Sequence, residues 1–181
     1  MQTCLSKFRL SAKENRSVLT LCVCAMLIAL NLLLDRVSIQ VTPSVRIGVG
    51  FLTNAVASAL YGPVVGMWAG AATDILSCIF YPRGAYFPGY TLTAIVAGLI
   101  YGLVLYQNKK GIKIYHAFIA RGLISLICNI GLNTIWSSIF LQKAVFVLLP
   151  ARALKNLALW PLESLLLYAV LVVVQRAVRK K

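Results

Sequence analysis

Three stretches of this chain, residues 17–34, 47–73 and 84–108, contain no charged side chain at all. A helix needs about 20 mostly apolar residues to cross the hydrocarbon core of a bilayer. Runs of this length and composition therefore dominate what the chain can fold into. Of the 181 residues, 60% are hydrophobic and only 12% are charged, with a mean hydropathy of +0.85. A soluble domain carries about 25% charged residues. The main solvent is lipid, and the sequence reads as an integral membrane protein. No stretch is long and polar enough to fold as a separate soluble catalytic domain, which excludes a membrane-anchored enzyme of that kind.

The apolar runs predict an all-α bundle of six transmembrane helices in one domain, over residues 17–35, 47–61, 63–80, 89–106, 115–140 and 151–175. Gly62-Pro63 divides the second run, because Gly ends helices and Pro starts them. The first run begins near residue 17, spans a full bilayer and lacks a small-residue cleavage site, so it reads as a span and not as a cleaved signal.

The 18 Lys and Arg against 4 Asp and Glu give a net charge of +14. Eleven of these cations fall in three clusters: Lys7, Arg9, Lys13 and Arg16; Lys109, Lys110 and Lys113; and Arg176, Arg179, Lys180 and Lys181. Basic clusters beside apolar spans set orientation by the positive-inside rule and call for no nucleic acid. All three agree on cytoplasmic N- and C-termini in a multi-pass membrane protein. The loops at 36–46, 81–88 and 142–150 then face outward. Five cysteines and the lone His116 offer no metal site and no disulfide framework.

Seven cations remain outside the clusters: Arg36, Arg46, Arg83, Arg121, Lys143, Arg152 and Lys155. Arg152, Lys155 and Asn156 share one helical face near the outer boundary, and Glu163 extends that face inward. Ionisable groups at membrane depth mark functional interiors by default, although long basic side chains also snorkel to headgroups. Asn129, Asn133 and Trp136 repeat the pattern on the preceding span, and Asp74 adds a carboxylate. The segment 81–93 places Tyr86, Phe87 and other aromatics beside Arg83, as a headgroup belt or as a lid over a flat ligand. Cations for carboxylates, Asn and Asp for a heterocycle's edge, and aromatics for stacking describe a flat, conjugated, anionic ligand. Residue types alone do not distinguish one vitamin-like heterocycle from another.

Ala25 and Ala29 form an A-x-x-x-A pair, and Gly66 and Gly70 a second small-residue stripe. Such faces let helices approach closely, within a chain or between chains. With these pairs, the run 46–76, the aromatic run 81–94 (YPRGAYFPGYTLTA) and the run ARALKNLALWPLE (151–163), the chain resembles the folate-specific substrate-binding subunits (S-components) of energy-coupling-factor (ECF) vitamin transporters. The resemblance covers nearly all of residues 17–175. It implies a non-enzymatic membrane subunit without metal or cofactor. Such a subunit captures folate from outside and associates with a transmembrane coupling protein and two ATPases. The residues themselves make Arg152, Lys155, Asn156, Asn133, Trp136, Asp74, Tyr86, Phe87, Arg46 and Glu163 the expected ligand contacts, while the resemblance implies the bacterial cell membrane as location and partner docking through Ala25 and Ala29, extended to Gly66 and Gly70.

Two other readings stay open at this level. A self-sufficient secondary transporter of a flat anionic solute would have to oligomerise, because only one six-helix unit is present and no chain of acidic residues carries protons. An intramembrane enzyme would have to work with Asp74, Glu163 and His116, and His116 lies at the inner boundary, away from the others.

Overall fold

The computed structural model describes residues 4–14, 17–36, 38–42, 45–81, 86–106, 113–141 and 145–179. Among them the fold is helical apart from one small hairpin. In chain order they form α1 (Cys4–Glu14), α2 (Val18–Arg36), strands β1 (Ile39–Thr42) and β2 (Val45–Ile47), α3 (Phe51–Tyr61), α4 (Pro63–Phe80), α5 (Pro88–Leu105), α6 (Ile114–Ile124), α7 (Asn133–Leu141) and α8 (Val145–Arg179). A π-helical segment, Ser125–Leu132, joins α6 to α7. Five helices are long and apolar enough to cross a membrane, with mean hydropathies between 1.4 and 2.3, and Phe51–Tyr61 is a shorter apolar helix.

Four features differ from the sequence expectation. The 36–46 loop contains an antiparallel hairpin with Gln40 opposite Arg46. Because β2 keeps residues 45–47 extended, α3 begins at Phe51 and not at 47. Lys7, Arg9 and Lys13 of the first basic cluster lie in a helix, α1, and α8 continues through Pro150 and Pro161 to a length of 35 residues.

The α3–α4 junction is made by Gly62, at φ 90°, in the left-handed region that glycine enters without a Cβ penalty. Pro63 then opens α4 with its φ already helical. Gly62 has no side chain with which to cap α4, and Ser11 of α1 supplies the cap from elsewhere in the chain. Its Oγ accepts from the N–H groups of Val64 (3.1 Å) and Val65 (3.4 Å) and donates to the carbonyl of Tyr61 (2.7 Å). Lys7 Nζ donates to the Leu103 carbonyl at 2.9 Å, in the last turn of α5. One short helix therefore satisfies the orphan groups at the start of α4 and the end of α5.

α4 and α5 pack with their backbones almost touching. A methyl group built on Gly98 would overlap the carbonyl of Gly66, and one on Gly102 would overlap Pro63. A methyl on Gly70 would lie 2.6 Å from the carbonyl oxygen of Ala94. Gly66 and Gly70 are buried in this contact. The two residues expected to dock a partner thus pack within this chain, Gly66 against Ser58 of α3 and Gly98 of α5, and Gly70 against Ala94 of α5. Ala25 and Ala29, in contrast, are exposed on α2.

The interior and exterior are arranged for lipid. Thr20, Asn31, Thr53, Ser58, Ser125, Ser137 and Ser164 are buried, while Val18, Met26, Trp68, Leu126, Leu154 and Val173 are mostly exposed. Hydrocarbon accepts the apolar side chains, and helix contacts fall to small and hydrogen-bonding residues. An apolar core of Ala55, Ile100, Tyr101, Leu105, Ala117, Leu167 and Leu171 fills the centre.

Candidate functional site

Asp74 and the aromatic residues Tyr86, Phe87 and Trp136 lie toward the end of the bundle that carries the hairpin. On α4, Asp74 is half-buried, and its Oδ2 accepts from Thr91 Oγ1 of α5 at 2.7 Å. Tyr86 Oη lies 2.7 Å from the same Thr91 oxygen. Since the Thr91 proton is committed to Asp74, the Tyr86 hydroxyl is the donor, and the three groups form a directed chain ending on the carboxylate. Pro88 at the start of α5 fixes this geometry by launching the helix directly after Tyr86 and Phe87.

An aromatic wall stands beside it. Phe87 lies 5.7 Å from Trp136 and 5.9 Å from Tyr90, centroid to centroid. Trp136 Nε1 donates to Thr93 Oγ1 (3.2 Å), which in turn donates to the Gly89 carbonyl (3.1 Å). Tyr90 Oη and Ser137 Oγ are 2.9 Å apart and tie α5 to α7. Gly89 is buried where the rings of Phe87 and Trp136 converge, and any side chain there would collide with both.

Asn129 and Trp136 do not point to one partner. Asn129 lies in the π segment and donates from Nδ2 to Oδ1 of Asn156 on α8 at 3.1 Å, whereas Trp136 faces α5. The wider π turn changes the rotation per residue, so the expected single face of Asn129, Asn133 and Trp136 is split between two neighbours. The Oδ1 of Asn133 is buried without a hydrogen-bond partner, as is the Oδ1 of Asn54 on α3. Buried amide oxygens without partners are rare in finished interiors and mark places where a polar group is missing.

Glu163 does not stand open to this region. Its Oε2 accepts from Arg121 Nε at 2.8 Å and Nη2 at 2.6 Å, two turns of α8 beyond Asn156. Arg121 also donates from Nη1 to Tyr101 Oη (3.2 Å), and its guanidinium lies 4.0 Å from the Phe51 ring centroid. Glu163, expected as a ligand contact, thus has one carboxylate oxygen engaged by an arginine of the same chain. Arg121, Tyr101, Thr91 and Thr93 were not singled out as site residues. The available signals were a lone cation in an otherwise uncharged run for Arg121, and the T-x-T spacing at 91–93 for the threonines.

Asn156 is buried and Lys155 half-buried beside it on α8. Arg152 belongs to α8 and Arg46 to β2, but their side chains lie outside the described residues, as does Arg83 entirely. Among the described residues no three of His, Cys, Asp and Glu come together in a metal-holding group. What the arrangement offers is recognition chemistry: a carboxylate at the end of a donor chain, amide groups, and ring faces.

The family model described as ECF transporter, substrate-specific component matches residues 19–171. The chain is 38% identical over 153 residues to a protein of Clostridium novyi named "Folate transporter FolT", covering 84% of this chain and 87% of that one. A protein of the same name from Leuconostoc mesenteroides is 32% identical over 144 residues, covering 77% of each. The fold also matches a solved structure described as FolT bound with folic acid, at a TM-score of 0.77 and 24% identity, over 83% of this chain and 92% of that one. The family is a transporter component and not an enzyme, and this chain belongs to it: it is a substrate-specific component of an ECF transporter.

Proposed function

We propose that this chain captures folate from outside the cell and delivers it to an ATP-driven ECF module made of a transmembrane coupling protein and two ATPases. The observation that carries the reading is the recognition surface at the hairpin end, in a chain 38% identical to a named folate transporter. Asp74, at the end of the Tyr86–Thr91 chain, suits the donor groups of a pterin. Phe87 and Trp136 suit stacking on flat rings, and the unpartnered Oδ1 of Asn133 suits a ligand N–H. Lys155, Asn156, Arg152 and the hairpin residue Arg46 supply polar and cationic groups for a dicarboxylate tail.

The same reading places the hairpin end outside, both termini in the cytoplasm, and Phe51–Tyr61 as the sixth and shortest crossing of the cell membrane. Ala25 and Ala29, exposed on α2, form the groove that meets the coupling protein. The test is to purify the chain alone in detergent and titrate it with folate, following heat and tryptophan fluorescence. Saturable binding without partner, nucleotide or ion gradient is expected. Absence of both signals at micromolar protein would overturn the proposal.

A further inference from the structure

Asn31 lies within the apolar span α2, yet it is 6% exposed and turned inward. Its Nδ2 donates to the Gly50 carbonyl at 2.6 Å and to Thr53 Oγ1 at 2.5 Å. Thr53 Oγ1 donates to the same carbonyl at 2.8 Å, and the Thr53 N–H reaches it at 3.2 Å. Three donors thus converge on one backbone oxygen, at the point where the β1–β2 hairpin returns to the helical bundle.

The other foot of the hairpin is held by the same helix. Ser38 donates to the Asp35 carbonyl from its Oγ at 2.7 Å and from its N–H at 3.3 Å. A methyl group on Gly48 would come within 2.9 Å of Ser38 Cβ, so the two feet touch. The Asp35 carboxylate accepts from Ser77 Oγ of α4 at 3.2 Å, one turn from Asp74. β2, which carries Arg46, lies against α8.

From this geometry we infer that Asn31 is a positioning residue for ligand capture: by pinning Gly50 to α2 it sets the hairpin against α8, the helix that carries Lys155 and Asn156. Ordinary interhelical glue would join two helix interiors. Asn31 joins α2 to the first turn of α3 through Thr53 and, through the Gly50 carbonyl, also holds the point where the hairpin enters that helix. The inference rests on the proposed folate capture, since it concerns how long the ligand is kept.

The test uses the full chain in detergent with three variants. Asn31→Leu removes the amide at similar volume, Thr53→Val removes the hydroxyl, and Thr53→Ser keeps it. Hydrogen exchange over residues 38–50, measured without ligand, is expected to be faster in Asn31→Leu and Thr53→Val and unchanged in Thr53→Ser. Folate dissociation should then be about fivefold to tenfold faster in the first two, with association little altered. If Asn31→Leu does not accumulate, the two Thr53 variants carry the comparison. Unchanged exchange would overturn the inference, and so would faster exchange with unaltered folate release. A wild-type chain that takes up no folate would overturn the proposed function instead, while the exchange data still decide whether Asn31 holds the hairpin.

Discussion

Arg121 and Glu163 tie α6 to α8 through one carboxylate oxygen that receives two guanidinium N–H groups, with the two side chains 7% and 12% exposed. Two charges at membrane depth are costly to desolvate, and each makes the other tolerable. Tyr101 and the Phe51 ring complete the enclosure, so the guanidinium is held on three sides.

This pair predicts strong non-additivity. Arg121→Met alone leaves an unpaired carboxylate, and Glu163→Leu alone leaves an unpaired guanidinium. Breaking a buried pair costs about 3–5 kcal/mol, whereas replacing both members by apolar residues is often neutral. Thermal unfolding in detergent should show a large loss for each single variant and recovery in Arg121→Met/Glu163→Leu. Losses that simply add would show that the two charges do not act as a unit.

Ser11 predicts a smaller, local effect at the opposite end. Loss of an N-cap side chain costs about 1 kcal/mol. Ser11→Ala should accelerate amide exchange at Val64 and Val65, whose N–H groups it now satisfies. Folate affinity should stay unchanged, because α1 and the hairpin lie at different ends of the bundle. An equal loss of affinity would mean that α1 supports the recognition surface.

How far the sequence alone leads can be judged from particular residues. The break at Gly62-Pro63 was readable because both residues act through backbone geometry, which is local. Asp74, Asn156 and Trp136 stood out because polar groups within apolar runs are expensive. The face shared by Asn129, Asn133 and Trp136 was misread, since a π segment changes the helical period and nothing in SLICNIGL announces one. The pairing of Glu163 was hidden for a different reason. Its partner Arg121 lies 42 positions away, and pairing at that separation is a property of the fold. Gly66 and Gly70 were visible as a small-residue stripe, but whether such a stripe meets α5 or another protein depends on which helix lies opposite. The tertiary cap by Ser11 was hidden too, because its cluster was read only as an orientation signal.

The α4–α5 contact predicts an asymmetry among glycines. A methyl group on Gly98 meets backbone atoms of Gly66 and Met67, which cannot rotate away. Overpacking of this kind costs about 1–3 kcal/mol. Gly131→Ala places its new carbon 3.4 Å from the Leu126 carbonyl, an ordinary contact. Gly98→Ala should therefore lower the unfolding temperature clearly and Gly131→Ala hardly at all. Equal behaviour would show that α4 and α5 have room to separate.

At the recognition surface, charge and ring shape separate into two experiments. Asp74→Asn keeps the size of the side chain but replaces one acceptor oxygen with a donor. If Asp74 accepts from the pterin, the lost charged hydrogen bond should weaken folate binding by about 1.5–3 kcal/mol, or roughly 10- to 150-fold. Trp136→Phe keeps an aromatic face but loses the bond to Thr93, and should weaken binding less. Isothermal titration of both variants beside wild type decides the order. A larger loss for Trp136→Phe would place the main contact on the indole.

The exposed pair on α2 gives the prediction that separates capture from delivery. Ala25 and Ala29 lie one turn apart on a face that no other described helix covers, and they leave a shallow groove for a second helix. An indole at either position fills that groove without entering the interior of this chain. Ala25→Trp and Ala29→Trp should therefore bind folate with near-normal affinity in detergent yet fail in ATP-driven uptake once reconstituted with the coupling protein and ATPases. Gly70→Trp is the contrasting case. Its side chain would run into the Ala94 carbonyl of α5, so folding and binding should fail together. Affinity and uptake must be measured on one preparation of each variant. Loss of both activities in the Ala25 and Ala29 variants would show that this face supports the fold, and uptake that survives both indoles would move the docking surface elsewhere.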